Sequence, residues 1–250
     1  MNELNYFDSF VTVGNPRIAQ RAGIYEMDQI LAELRYYHIT EALIHHRFSY
    51  EDDPPVGNDE VLKVTSGKDN LHPVWVLLPE HTNEMPPPEE LVSLMLDRGV
   101  KAASVYPKTH NWSLAEWSAG SLLRALEAHR FPLLIHLDET TWEELHSLAQ
   151  RHPALPLIVI GATYKTSRFI FPLFKRHPNL YLEIAGYQVH RGLEEAAKVV
   201  GARQFLFGTR LPGFTPAAAI MMVNYARISD EERRLIAGDN LRRILSEVRN

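Results

Sequence analysis

The chain has 250 residues, 45% of them hydrophobic, which suffices for one large core; α/β barrels of this length commonly form a single domain. Its formal net charge of −5 carries no polyanion-binding signature, so nucleic acid is not an expected partner. No cysteine occurs, which removes disulfides, thiolate catalysis and Cys-bound zinc together.

The first residues, Met1 to Asp8, are polar and acidic, with no basic region followed by an apolar run of the kind that directs secretion. No apolar run approaches the ~18 residues that a membrane span needs. A soluble, cytoplasmic protein without a membrane partner is expected, and the match of Asn111-Trp112-Ser113 to a glycosylation site is read as chance. Short β-branched or aromatic runs follow one another at Tyr6–Val13, Glu41–His46, His72–Pro79, Ala102–Pro107, Pro132–Leu137, Pro156–Ala162, Leu180–Ala185 and Phe205–Thr209. Most are continuously apolar, as parallel strands buried on both faces should be. Amphipathic stretches separate them: Met27, Ile30, Leu31 and Leu34 repeat at helical spacing, and Trp142, Leu145, Leu148 and Ala149 keep a similar stripe. Thr140 with Glu143, and Ser229 with Glu232, have capping-box spacing at the starts of two such segments. The Pro-rich stretches 52–56 and 85–88 read as loops, and there are no repeats. Eight strands alternating with helices predict an α/β fold of the (β/α)8 TIM-barrel type, one domain over residues 1–250.

The stretch Leu206-Phe207-Gly208-Thr209-Arg210-Leu211-Pro212 reads as a buried strand that ends in a turn and delivers a polar side chain to a pocket. It resembles the last barrel strand of the amidohydrolase-related, metal-dependent hydrolases, whose pattern there is Phe-Gly-Ser-Asp-x-Pro. The segment 179–186 resembles that family's seventh strand, and 229–245 its closing helix, including Asn240. Val56-Gly57-Asn58 and 89–101 fit its middle. The resemblance runs from about Phe7 to the C-terminus. It implies a divalent ion, usually zinc, at the C-terminal barrel mouth, held by a His-x-His pair on strand one, a His each on strands five and six, and an Asp on strand eight. In this chain the strand-one positions hold Phe10 and Thr12, strand six holds Ala162, strand eight holds Arg210, and only His136 on strand five remains. A catalytic zinc normally needs three protein ligands. A divalent cation ~4 Å from a guanidinium would also meet roughly 8 kcal/mol of repulsion at an effective dielectric of 20. The standard metal site is therefore expected to be dismantled, with no cofactor.

Three functional readings follow. In the first, the mouth binds a small polar or anionic molecule, and hydrolysis or decarboxylation, if it persists, proceeds without the usual metal. Arg210, Lys108 and Lys165 supply positive charge, and Tyr106 and His136 hydrogen-bond. His136 is the general acid/base, oriented by Asp138 or Glu139. Phe10, Thr12, Thr163 and Glu183 complete the binding residues. The plainer account of the same residues is that Arg210 pairs with Asp8 or Glu183 and fills the space that the metal left. In the second reading the chain is a pseudoenzyme, a non-catalytic scaffold or a subunit of an assembly; a homo-oligomer is compatible with either. In the third, zinc or another divalent metal is held by relocated ligands around His136, drawn from His45 or His46, His110 and His190; adjacent strand residues face opposite ways, so only one of His45 and His46 can join. No phosphate-cradling glycine pattern is present, which disfavours nucleotide cofactors.

Overall fold

A computed structural model describes residues 4–17, 23 and 25–249; residues 1–3 of the polar start lie outside the described residues. Eight strands form one parallel sheet in the order β1 to β8: Tyr6–Val13, Ile39–His46, Leu71–Val76, Ala102–Val105, Leu133–His136, Leu157–Ile160, Leu180–Glu183 and Phe205–Leu206. Helices occupy the intervening stretches. They are α1 (Met27–Tyr36), α2 (Arg47–Glu51), α3 (Pro54–Thr65), α4 (Pro88–Asp97), α5 (Glu116–Ala128), α6 (Trp142–Arg151), α7 (Ser167–Arg176), α8 (Gly192–Val199) and α9 (Pro216–Tyr225), with α10 (Asp230–Arg234) and α11 (Asn240–Ser246) joined by a π turn. The sheet returns on itself where Ser9 N donates to Phe207 O (3.0 Å) and Thr12 N to Leu211 O (2.8 Å), so the expected (β/α)8 barrel is the fold.

Strand alternation explains how the barrel is filled. Each strand contributes to a single inner cluster: Phe7, Leu43, Val74, Ala102, Leu134, Ile158 with Ile160, Tyr181 and Leu206, with Leu241, Ile244 and Leu245 of α11 packed against it. The other face of every strand joins the larger cluster beneath the helices, as a strand buried on both sides requires. Two residues further along, alternation brings His45, Ser104, His136 and Glu183 to the same inner face. The barrel thus changes from apolar to polar toward its C-terminal mouth, where barrel sites are built.

Local chemistry sets the ends of the elements. α3 starts where the Asp53 carboxylate accepts from Val56 N with prolines in the first turn. α6 begins one residue later than the sequence suggests, because the capping box is Thr141 with Glu144; Thr140 is buried instead. Ser229 and Glu232 form the expected box at α10. β8 is short because Phe207 N leaves the ladder for Ile236 O. Asn240, buried, ties this corner by donating to the carbonyls of Ala202 and Phe205, both at 2.9 Å. Asn58 does the same for β3: its amide accepts from Val76 N (2.8 Å) and donates to Val76 O (2.9 Å), both buried. Asn58→Ala leaves an orphaned donor and acceptor at 3% exposure, and is expected to destabilise the fold by about 2–4 kcal/mol in chemical denaturation.

Candidate active site at the barrel mouth

The mouth is organised around two side chains that two glycines make room for. Gly161 follows β6 with φ +94°, a conformation that L side chains rarely adopt, and a Cβ there would lie 2.7 Å from the His136 ring. Gly186 follows β7, and a Cβ there would overlap Arg210 Nη2 and sit 2.5 Å from Ala162 O. The His136 imidazole and the Arg210 guanidinium therefore rest against bare backbone. Phe214 covers the guanidinium, 4.8 Å from its ring centre.

Arg210 Nε lies 3.1 Å from Glu183 Oε2, in an ion contact not aligned as a hydrogen bond. Of the two acids that the sequence offers as partners, the structure selects Glu183. That carboxyl is fully buried; burial pushes its pKa up, against the opposing pull of Arg210 and of Ala185 N, which donates to Oε1 at 2.5 Å. The His136 side chain keeps 24% of its surface exposed, and burial together with the Arg210 charge lowers its pKa, favouring the neutral imidazole. Asp138 Oδ2 lies 3.6 Å from His136 Nδ1, but the Asp138 side chain is 92% exposed, so its pull is heavily screened.

The other expected site residues divide. Phe10 packs on His45 with ring centres 4.1 Å apart, and His45 is buried with both ring nitrogens unpartnered, its pKa lowered by burial to about 3. Tyr106 stacks on Tyr50 at 5.2 Å, with its hydroxyl pKa raised by burial. Thr12 is buried, and its amide donates to Leu211 O beyond β8. Glu139 is committed to the loop after β4: it accepts from the amides of Lys108 and Thr109 and from the Thr109 hydroxyl (2.8, 3.0 and 2.6 Å). Lys108 Nζ in turn donates to the carbonyls of Asp138 (2.8 Å) and Thr140 (3.4 Å). Thr163 and Lys165 sit on the exposed loop after β6, where Lys165 Nζ lies 5.5 Å from the Tyr164 ring centre. Of the histidines considered as relocated ligands, His46 turns away from His45 and caps α2 through Nδ1, His110 Nε2 lies 3.1 Å from Tyr50 O, and His190 is exposed. Among the described residues no three His, Asp or Glu side chains converge where they could hold a metal ion.

Periodicity and spacing assign no role to Thr209, Gly161, Gly186 or Phe214, and offer Asp8 only as one of two alternative partners for Arg210. Asp8 is the one charged residue in β1, and that is the available signal. It is fully buried, accepting at Oδ1 from Thr209 N (2.9 Å) and Phe10 N (3.0 Å), with Oδ2 2.5 Å from the Thr209 hydroxyl.

The amidohydrolase family model Amidohydro_2 matches residues 21–246, nearly the whole barrel. The chain belongs to the amidohydrolase family. Its fold is similar to that of an uncharacterized TIM-barrel protein from Bordetella bronchiseptica (17% identity, 98% of this chain and 99% of that one, TM-score 0.76). It is also similar to 5-carboxyvanillate decarboxylase from Sphingomonas paucimobilis (13% identity, 98% and 99%, TM-score 0.74) and to a probable 2-pyrone-4,6-dicarboxylic acid hydrolase from Acinetobacter baumannii with citric acid bound (15% identity, 97% and 100%, TM-score 0.69). No match was found among curated proteins. Among the described residues of this amidohydrolase, no helix is long and apolar enough to cross a membrane.

Proposed function

We propose that the mouth of this amidohydrolase binds a small carboxylate-bearing molecule on Arg210, with His136 as the neutral hydrogen-bonding and proton-accepting group beside it, and without the divalent ion usual in the family. The observation that carries this reading is the placement of the guanidinium: seated at the end of β8 between Gly186 and Phe214, with Nε turned to Glu183. Pairing through Nε leaves the terminal nitrogens as donors in a fork whose geometry suits a carboxylate. Metal ligands do not fit this arrangement. A fixed cation occupies the strand-eight position, Phe10, Thr12 and Ala162 stand where the resemblance calls for imidazoles, and His136 is the one remaining donor of that set. The likeness to proteins named for carboxylated substrates, one of them holding citric acid, agrees with an anion site, and hydrolysis or decarboxylation are the reaction classes those names suggest.

Two measurements test the reading. Elemental analysis of the purified protein should find no stoichiometric zinc, manganese or iron after dialysis; a retained equivalent overturns the metal-free part. Calorimetric titration with benzoate and with citrate should give binding that weakens more than tenfold when Arg210→Met is combined with Glu183→Gln, the second change removing the acid that would otherwise be stranded. Unchanged affinity in that double variant sinks the assignment of Arg210.

A further inference from the structure

Arg210 holds a backbone conformation that its own chemistry disfavours. Its φ is +53°, in the left-handed region that costs a residue with a Cβ free energy and persists only where the surroundings enforce it. The enforcement comes from strand one. Asp8 Oδ1 takes the amide of Thr209, the residue before Arg210, and Asp8 Oδ2 receives the Thr209 hydroxyl. That same hydroxyl oxygen accepts from the amide of Leu211, the residue after Arg210, at 3.1 Å. The amides of the residues on either side of Arg210 are thereby linked to one carboxylate, that of Thr209 directly and that of Leu211 through the Thr209 hydroxyl, and Phe10 N, bound to the same Oδ1, fixes that carboxylate within the irregular register of β1. On the far side, Gly213 N returns to Arg210 O at 2.8 Å.

We infer that Asp8 is a positioning residue which, through Thr209, holds Arg210 in its left-handed conformation and so sets where the guanidinium points. The hydrogen-bond directions support it. With Leu211 N donating to Oγ1, the hydroxyl proton is free to go to Asp8, whose two oxygens then meet all three donors of the corner. Its partners are all on the chain itself, so the clasp is built before any ligand arrives. The consequence for anion affinity rests on the reading of Arg210 given above; the consequence for Arg210 geometry does not.

The experiment compares wild type with Asp8→Asn, Thr209→Val and Thr209→Ser. Two readouts are used: the position of the Arg210 Nε–H resonance in 15N-arginine-labelled protein, which reports its place beside Glu183, and the calorimetric Kd for benzoate. Thr209→Ser keeps the hydroxyl and should keep both. Thr209→Val, and Asp8→Asn wherever it folds, should shift or broaden that resonance while retaining a cooperative melt, and weaken benzoate about tenfold or more, the loss expected from hydrogen bonds to a charged group. A folded Thr209→Val protein with an unchanged Arg210 resonance overturns the inference. If wild-type protein shows the resonance but binds no benzoate, the anion reading fails by itself, and the resonance in the variants still decides the role of Asp8.

Discussion

Replacing Arg210 by Met alone is expected to destabilise the protein by about 3–5 kcal/mol at pH 8, because it strands Glu183 as a fully buried carboxylate without its counter-charge. The loss is not the value of the ion pair. It is the cost of an unpaired charge in a low-dielectric interior, where only Ala185 N still donates to the carboxylate. Two further outcomes separate these. Adding Glu183→Gln should restore most of the stability, since the amide oxygen still accepts from Ala185 N and no charge remains. Lowering the pH should shrink the single variant's deficit, because Glu183, whose pKa is raised by burial, takes up a proton more readily once Arg210 is gone. Urea denaturation of the two variants at pH 5 and pH 8 reads all of this. A single variant as stable as wild type at pH 8 would show that the pair is not structurally coupled.

The second large effect is hidden in the wild-type protein by cancellation. Asp8 has its pKa raised to about 7, above its unfolded value of about 3.9, so its contribution to stability is complete at low pH and is lost as pH rises through 7. His45 has its pKa lowered to about 3 from about 6.5, so the fold favours its neutral form and stability is lost as pH falls below 6.5. Each group alone gives a slope of about 1.4 kcal/mol per pH unit, of opposite sign, over nearly the same window. Between pH 4 and 6.5 the two offset one another. His45→Leu removes one arm. Both His45 ring nitrogens are unpartnered and its ring packs on Phe10, so an apolar replacement strands no hydrogen bond. The variant is expected to grow more stable as pH falls from 7 toward 4.5, by about 3 kcal/mol, while wild type stays level against this pair's contribution. Parallel pH profiles for the two proteins in isothermal urea denaturation would reject the account.

Much of the architecture was legible in the residues because parallel strands buried on both faces leave nearly unbroken apolar runs, and alternation alone selects Leu43, Leu134 and Ile158 for the interior and His45, His136 and Glu183 for the layer above it. That Arg210 would pair with Asp8 or Glu183 was legible because a buried guanidinium demands an acid and the inward strand positions offer few; the choice of Glu183 came from the structure. Other features depend on interactions that periodicity does not record. β8 ends early because its next amides are taken by Ile236 O and by Asp8, partners far away in the chain. The segment Thr140-Thr141-Trp142-Glu143-Glu144 offers two overlapping capping frames, and burial of Thr140 decides between them. Lys108 and Glu139 follow adjacent strands, as site residues do, yet each is spent on the backbone of the other's loop. Types and positions gave no warning of that mutual engagement.

The junction of β8 with β1 has a mechanical meaning. Every other joint in the ring is a ladder between strands of at least four residues, except the one β8 shares with β7, whereas this joint rests on the isolated bridge Val11–Leu211, two backbone bonds and the Asp8 carboxylate. The narrowest weld of the hoop is thus the one that carries Arg210. A molecule held there would load the closure itself, so that filling the mouth and keeping the hoop shut become a single equilibrium.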